Sequence, residues 1–420
     1  MSVDPFLSPP YRDCPECRTK GGFGVLMVNR RNYVRRCSQC RNKEAIPLPP
    51  VGRRLIYLDQ LALSNLTNAQ SGASPKSEEE RFWGAALERL SRLVRLQLLG
   101  CPRSNFHEEE GLVWSGYEAL RAMGRRLSAE LEFHDCTVIR NGQLYLHCQR
   151  WKQGKGDEVP GVDVDRVLEG DRFGWQPRLF IDVKLGISDD VIEELIRARS
   201  AEDEGLSEVW AGWSGEGVSF DDRVREEAHS YGPVVLEKVV AHAATFLSVQ
   251  SGLRGAGVPE DRLGHEAAEY LRSDSLIIVP FNRISSLLYA ALARRARAGQ
   301  KGGSKGMTSD IRMISTLLPY VDAMFVDREC HVLLSENPIP ERLDYDTRLF
   351  SHRNKEEFIA YLDEIEASAT PEHLALIHEV YGAPREFGSA TKPLEQECLR
   401  VSDKRDGNGT RPPGSRSCRS

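Results

Sequence analysis

The chain has 420 residues, 40% of them apolar, 28% charged, and a formal net charge of −6. That is length for two or three domains with a sizeable core, and a charge too mild to mark a partner by itself. No apolar run approaches the roughly 20 residues that cross a bilayer, and the opening Met-Ser-Val-Asp-Pro-Phe lacks the basic-then-apolar pattern of a secretory signal, so a cytoplasmic protein with no membrane partner is expected.

Ten cysteines occur, too sparse for a secreted disulfide framework in a chain this long. Four stand as Cys14-Pro-Glu-Cys17 and Cys37-Ser-Gln-Cys40, nineteen residues apart. Each CxxC turn puts two sulfurs on one ion, and two such turns at this spacing make a tetrahedral four-thiolate zinc site. No position stays open for water, so the zinc is expected to be structural. A redox CxxC would need a βαβ context that the flanking residues do not provide. Residues 24–28 and 33–36 read as two short strands around a turn at 29–32. The arrangement resembles a zinc ribbon, over about the first 45 residues.

Residues 12–43 hold nine Lys or Arg against two acids. Arg30, Arg31, Arg35 and Arg36, with Phe23 and Tyr33 to stack on bases, suit nucleic acid; the alternative is that they solubilise a small module. Ile46-Pro47-Leu48-Pro49-Pro50 reads as a semi-extended linker, so residues 1–50 form ribbon and linker. Cys101, Cys136, Cys148 and Cys330 are expected to be buried and reduced.

Residues 55–58 form a short apolar run, a buried strand with Asp59 at its C-terminal end. Ligands of open α/β sheets bind at that end; a helix cap is the other reading of Asp59. Residues 78–99 carry a helical stripe, and 96–101 can follow as a second strand. Ser104 caps a helix expected to run to about residue 131, with Glu108, Glu109 and Glu110 in its first turns. Those acids either complement the helix dipole or send one, Glu110, towards Asp59. Far downstream, 276–280 reads as a strand end, followed by a helix ending in Arg294, Arg295 and Arg297, a basic cluster with Lys301 and Lys305 placed to hold phosphates. Thr308 or Ser309 caps a further helix with Asp310 in its first turn. Residues 323–326 form a strand with Asp322 before it and Asp327 after it.

Carboxylates gathered at one rim bind hard divalent cations such as magnesium or manganese. The order of elements resembles the PIN-like nuclease superfamily. The family begins with a strand ending in Asp, here Asp59. It places a Glu on a later helix, here Ser104-x-x-His107-x-x-Glu110. A helix opening on Asp follows, here Asp310, and then a strand ending in Asp, here Asp327. The resemblance covers about 54–131 and 276–366. It implies a parallel sheet flanked by helices, Mg²⁺ or Mn²⁺, and cleavage of RNA or DNA phosphodiesters. By that analogy Asp59, Glu110, Asp310 and Asp327 are the metal ligands, and Asp322 is a fifth acid near the rim or exchanges roles with Asp327. Gln60 stands where the family often has Thr or Asn.

The fold expected is therefore α/β: a PIN-like domain over 54–366 with a mainly helical insertion at about 133–273, behind an N-terminal ribbon. His134 and His147 have no zinc-ligand spacing and read as structural. The insertion either gates the site or offers a face to a second copy or a regulatory protein. The tail, 387–420, reads as disordered. The function expected is a metal-dependent nuclease with RNA ahead of single-stranded DNA, the ribbon helping to bind nucleic acid. A non-catalytic nucleic-acid or protein adaptor is the alternative, and a hydrolase built on Cys101 and His107 a remote third.

Overall fold

The computed structural model describes residues 6–70, 74–112, 116–161, 163–177, 189–300 and 303–382. Lys301 and the tail expected over 387–420 lie outside them. The N-terminal module is an antiparallel sheet of β1 (Ser8–Arg12), β2 (Phe23–Val28), β3 (Asn32–Cys37) and β4 (Lys43–Pro47), in that order. β2 and β3 are the two strands and turn legible in the sequence. β4 includes Ile46 and Pro47, so the proline-rich stretch that reads as a linker is in part a strand.

Next come β5 (Arg54–Leu58), α1 (Gln60–Ala69), α2 (Glu78–Arg95), β6 (Leu99–Gly100), α3 (Asn105–Gly111) and α4 (Tyr117–Ser128). The expected single helix over 104–131 is two, because α4 folds back on α3 and the Tyr117 hydroxyl bonds to Glu108. Short strands β7 (Glu132–Phe133) and β8 (Leu168–Glu169) pair antiparallel around α5 (Cys136–Lys152). Four helices follow: α6 (Asp189–Ser214), α7 (Phe220–Glu237), α8 (Ala243–Gly255) and α9 (Leu263–Leu271). Residues 232–246 hold the end of α7 and the start of α8. α8 crosses α5 closely, since a Cβ on Gly252 would sit 2.2 Å from Cys148 Sγ.

The chain returns through α10 (Pro280–Arg297), α11 (Met307–Leu317), β9 (Ala323–Phe325), α12 (Arg328–Leu334), α13 (Ile339–Leu343), β10 (Arg348–Phe350), α14 (Lys355–Ala367) and α15 (Pro371–Tyr381). The strand end expected at 276–280 is a 3-10 turn running into α10. Asn282 Nδ2 holds it by donating to Leu276 O at 3.0 Å, and Pro280, whose ring presets a helical φ, takes the first helical position.

β5, β6, β9 and β10 form one parallel sheet in the order β10-β9-β5-β6. Alternate side chains face opposite ways. Leu55, Tyr57 and Met324 enter a core with α10 and α11, while Ile56, Leu58, Ala323 and Phe325 enter a second core with α1, α2 and α14. The result is a three-layer α/β unit. The helices α5, α7, α8 and α9 have a core of their own around Leu144, Val249, Leu253 and Tyr270.

The ribbon packs against α15. Val25, Val28 and Tyr33 bury against Ile377, Val380 and Trp175. Tyr33 donates its hydroxyl to Glu379 Oε1 at 2.5 Å, and Arg35, 1% exposed, donates to Glu379 O at 2.9 Å and Pro10 O at 2.8 Å. Tyr33, Phe23 and Arg35, read as able to meet nucleic acid, are therefore interior. A short module with little core of its own recruits its aromatics for packing.

Candidate functional site

Two clusters of metal-ligating side chains stand out among the described residues. The first is Cys14, Cys17, Cys37 and Cys40, whose sulfurs all lie within 4.8 Å of one another. Cys14 Sγ and Cys40 Sγ are 3.6 Å apart, as are Cys17 Sγ and Cys37 Sγ. A tetrahedron of sulfurs about 2.3 Å from a central ion has edges of about 3.8 Å, so the group can hold a metal ion such as zinc. The two knuckles match in backbone as well. Arg18 and Arg41, each the residue after the second cysteine of its pair, take left-handed φ values of 58° and 60°. Thr19 draws the Cys17 thiol down to about 6 through its hydroxyl and backbone, aided by the neighbouring sulfurs. Cys17 is thus a ready thiolate, while, against the Asn42 backbone hydrogen bond, burial and the other three sulfurs push Cys40 up to about 12; a bound cation would take them as thiolates.

The second cluster lies at the C-terminal edge of the parallel sheet. The register aligns Leu58 with Phe325, and Asp59 N–H continues the ladder to Phe325 O at 3.0 Å. Asp59 and Asp327 thus emerge from neighbouring strands. Each also caps the helix that follows. Asp59 Oδ1 accepts from Ala62 N at 2.7 Å, and Asp327 Oδ1 from Cys330 N at 2.6 Å. Both sequence readings of Asp59, strand-end acid and helix cap, describe the same atom.

Asp310 arrives on α11. That helix starts earlier than Thr308 or Ser309: its cap is Gly306, at φ 89°, a backbone position that favours glycine. Asp310, Asp327 and Cys330 offer ligand atoms within 4.8 Å of one another. Glu110 arrives on α3, with Oε1 3.5 Å from Ser309 Oγ and 3.7 Å from Arg199 Nη2.

His107 fixes α3 against β5. Its Nδ1 accepts from Ser104 N at 3.2 Å, so the proton sits on Nε2, which donates to Leu58 O at 2.7 Å. The ring stacks on Tyr57 at 4.8 Å. Burial lowers its pKa to about 4, so it is neutral, with both nitrogens engaged. It ties the strand bearing Asp59 to the helix bearing Glu110.

The electrostatics of the cluster are those of buried acids that outnumber the cation beside them, Arg199. Burial pushes Asp59 up to about 8, assisted by Asp327 and Glu110 and opposed by the Ala62 and Asp327 backbone N–H groups. Burial likewise pushes Asp310 up to about 8, assisted by Glu110, Asp327 and Asp59 and opposed by Arg199. Glu110 is raised by burial and held down by Arg199 and Ser309.

The other sequence candidates lie elsewhere. Asp322 is at the opposite edge of the sheet. The two acids flanking β9 are five residue steps of extended chain apart, about 16 Å. Asp322 takes Leu55 N at 2.7 Å and Arg54 Nη1 at 2.8 Å, and lines a cleft of about 570 Å³ with Tyr320 and Arg348. It is neither a fifth rim acid nor exchangeable with Asp327. Arg294 and Arg295 both pair with Glu336, at 2.8 and 2.5 Å, and Arg297 donates to Val218 O at 2.5 Å. The basic end of α10 is thus engaged within the fold. Of the ribbon arginines, Arg35 is buried and Arg31 pairs with Asp171 at 3.0 Å, while Arg30 is exposed and Arg36 half-buried. His147 is structural, its nitrogens engaged by Tyr270 and the Gly156 carbonyl at 2.9 and 3.0 Å.

Sequence reasoning missed Arg199. It is one arginine among several on an amphipathic helix, and nothing local separates it from Arg197. No helix among the described residues is long and apolar enough to cross a membrane. Comparison with protein-family models, curated proteins and solved structures finds no match for this chain.

Proposed function

We propose that this chain is a divalent-metal-dependent nuclease of the PIN-like kind that hydrolyses phosphodiester bonds. RNA stands ahead of DNA on the resemblance of its motifs alone. The observation that carries the reading is that Asp59 and Asp327 emerge from neighbouring strands, with an Asp310 ligand atom within 4.8 Å of Asp327 and Glu110 close enough to raise both Asp59 and Asp310, each of which reaches about 8. Helix capping accounts for Asp59 and Asp327. It does not account for Glu110 or Asp310, neither of which caps a helix. Four carboxylates suit Mg²⁺ or Mn²⁺; the Cys330 thiol beside Asp310 and Asp327 is kept protonated by burial and the neighbouring acids, so it is a poor donor.

Asp59 and Asp327 are held by their cap hydrogen bonds, and Glu110 by the helix that His107 anchors. Such preorganisation keeps the acids together despite their repulsion. A divalent ion bound there would supply Lewis acidity, activating water for attack on phosphorus and offsetting the charge that develops. The water oxygen would bond to phosphorus as one ester P–O bond breaks; the proton that water loses passes to solvent, and the leaving oxygen takes one from it.

Zinc is the ion assigned to the four cysteines, in a structural role. The burial of Phe23, Tyr33 and Arg35 favours that role over nucleic-acid binding by the ribbon.

The test is incubation of the purified protein with labelled single-stranded RNA and DNA in Mn²⁺ or Mg²⁺, beside Asp59→Asn and Asp310→Asn. Cleavage present in the wild type and lost in both variants is expected. Cleavage that persists in both removes the rim from the chemistry.

A further inference from the structure

Four ionised carboxylates carry more negative charge than one divalent ion offsets, so a phosphate approaching this rim needs a further cation. Arg297 is held at Val218 O and does not supply it. One side chain does reach the acids. Arg199 Nη2 lies 3.7 Å from Glu110 Oε1, one-third exposed, and its charge acts on Asp310 as well.

Arg199 belongs to α6, inside the stretch without a counterpart in the motif order. α6 is clasped to the site helices by two polar contacts. Glu202 Oε1 accepts from Arg312 Nη1 at 2.6 Å, and Asp203 Oδ1 accepts from Gly306 N at 2.9 Å, at the start of the helix that carries Asp310. Leu206, Trp210 and Trp213 then pack on the core beneath. With the helix pinned at two consecutive residues one turn beyond it, Arg199 faces the rim. A guanidinium is permanently charged and forks onto two phosphate oxygens at once.

We infer that Arg199 is a phosphate-binding residue of this site: it pairs with Glu110 while the carboxylates lack a cation, and with a phosphate of the nucleic-acid substrate once they hold one. This rests on the nuclease reading. A divalent ion that engages Glu110 and Asp310 takes over the partner Arg199 had. At 3.7 Å the pair is longer than a hydrogen bond, so Arg199 gives up little when it turns from Glu110 to a phosphate. The stretch at 133–273 is then part of the active site rather than only a cover for it.

The experiment compares wild type, Arg199→Ala and Arg199→Lys in three measurements: Mn²⁺ binding by calorimetry without nucleic acid, salt dependence of single-stranded RNA binding in Mn²⁺, and kcat and KM for cleavage. Arg199→Ala is expected to bind Mn²⁺ as tightly as wild type or tighter, since a competing cation is gone. Its slope of log affinity against log salt is expected to fall by about one, and kcat/KM by about ten- to a hundredfold. Arg199→Lys should recover the slope but only part of the rate, because a point charge cannot fork. An arginine with only a structural role would weaken Mn²⁺ binding and leave the slope alone, and that result overturns the inference, as does a wild-type slope and rate in Arg199→Ala. If the wild type binds Mn²⁺ but cleaves nothing, the salt slope still decides. If it binds no Mn²⁺, the nuclease reading and this inference fall together.

Discussion

Replacing Asp59 by asparagine separates its charge from its role as a cap. Both residues cap helices equally well, so the bond to Ala62 N is kept. The charge is what differs. Burial and the neighbouring acids raise Asp59 from 3.8 to about 8. Between those values the metal-free folded chain holds a proton that the unfolded chain has released, so stability falls as pH rises through the window from about 4 to 8. At pH 7 the group costs the folded state about 4 kcal/mol, taking about 1.4 kcal/mol per unit over the three units above the unfolded value. Asparagine removes that term and loses some of it again to an amide that must find acceptors, leaving a net gain on the order of 2 kcal/mol. At about 2 °C per kcal/mol for a large chain, the metal-free protein should melt about 4 °C higher. The assay is thermal unfolding at pH 7 in buffer freed of Mg²⁺ and Mn²⁺ by resin, with no chelator added, so that the cysteine-bound ion stays. Added Mn²⁺ should then raise the melting point of the wild type and leave the variant unmoved. A variant that melts with or below the wild type without metal, and still rises with Mn²⁺, would show that the charge of Asp59 plays no part and refute the argument.

Mn²⁺ binding should tighten with pH. Asp59 and Asp310 stay protonated up to about 8, so the ion displaces protons below that value, and affinity should climb by up to about tenfold per unit for each proton released, levelling above pH 8. Calorimetry across pH 6 to 9 reads this directly, and a flat profile contradicts it. Asp322→Asn removes a half-exposed ion pair with Arg54 and weakens the acceptor of Leu55 N; it should cost on the order of 1 kcal/mol of stability and leave Mn²⁺ affinity at the wild-type value. Cys37→Ser should drop bound zinc from about one per chain towards none, by elemental analysis. Because Tyr33 and Arg35 hold Glu379, the same variant should open α15 to limited proteolysis, whereas protection of 371–381 without zinc would separate the ribbon from that helix.

Much of this protein was written in short-range signals. The two CxxC turns, the strand ending at Asp59, the cap at Ser104 and the acids at 310 and 327 all depend on residues within a turn or two of one another, and local sterics and capping act at that range. The resulting parallel sheet and four-cysteine group follow the pattern those signals set. Tertiary structure alone decided which end of the sheet each acid occupies. Asp322 and Asp327 flank the same strand, and only its parallel pairing with β5 sends one to the rim and the other to the far edge. It also decided what the arginines do. Arg35 disappears into the ribbon's contact with α15, and Arg294 and Arg295 close on Glu336, partners 344 and about 40 residues away in sequence. The apolar run at 276–280 is a 3-10 turn running into a helix, and it is held by Asn282, a residue beyond the run itself. Arg199 was invisible for the same reason: its charge has meaning only beside Glu110, and that adjacency is made by the packing of α6 on α11, which no local pattern encodes.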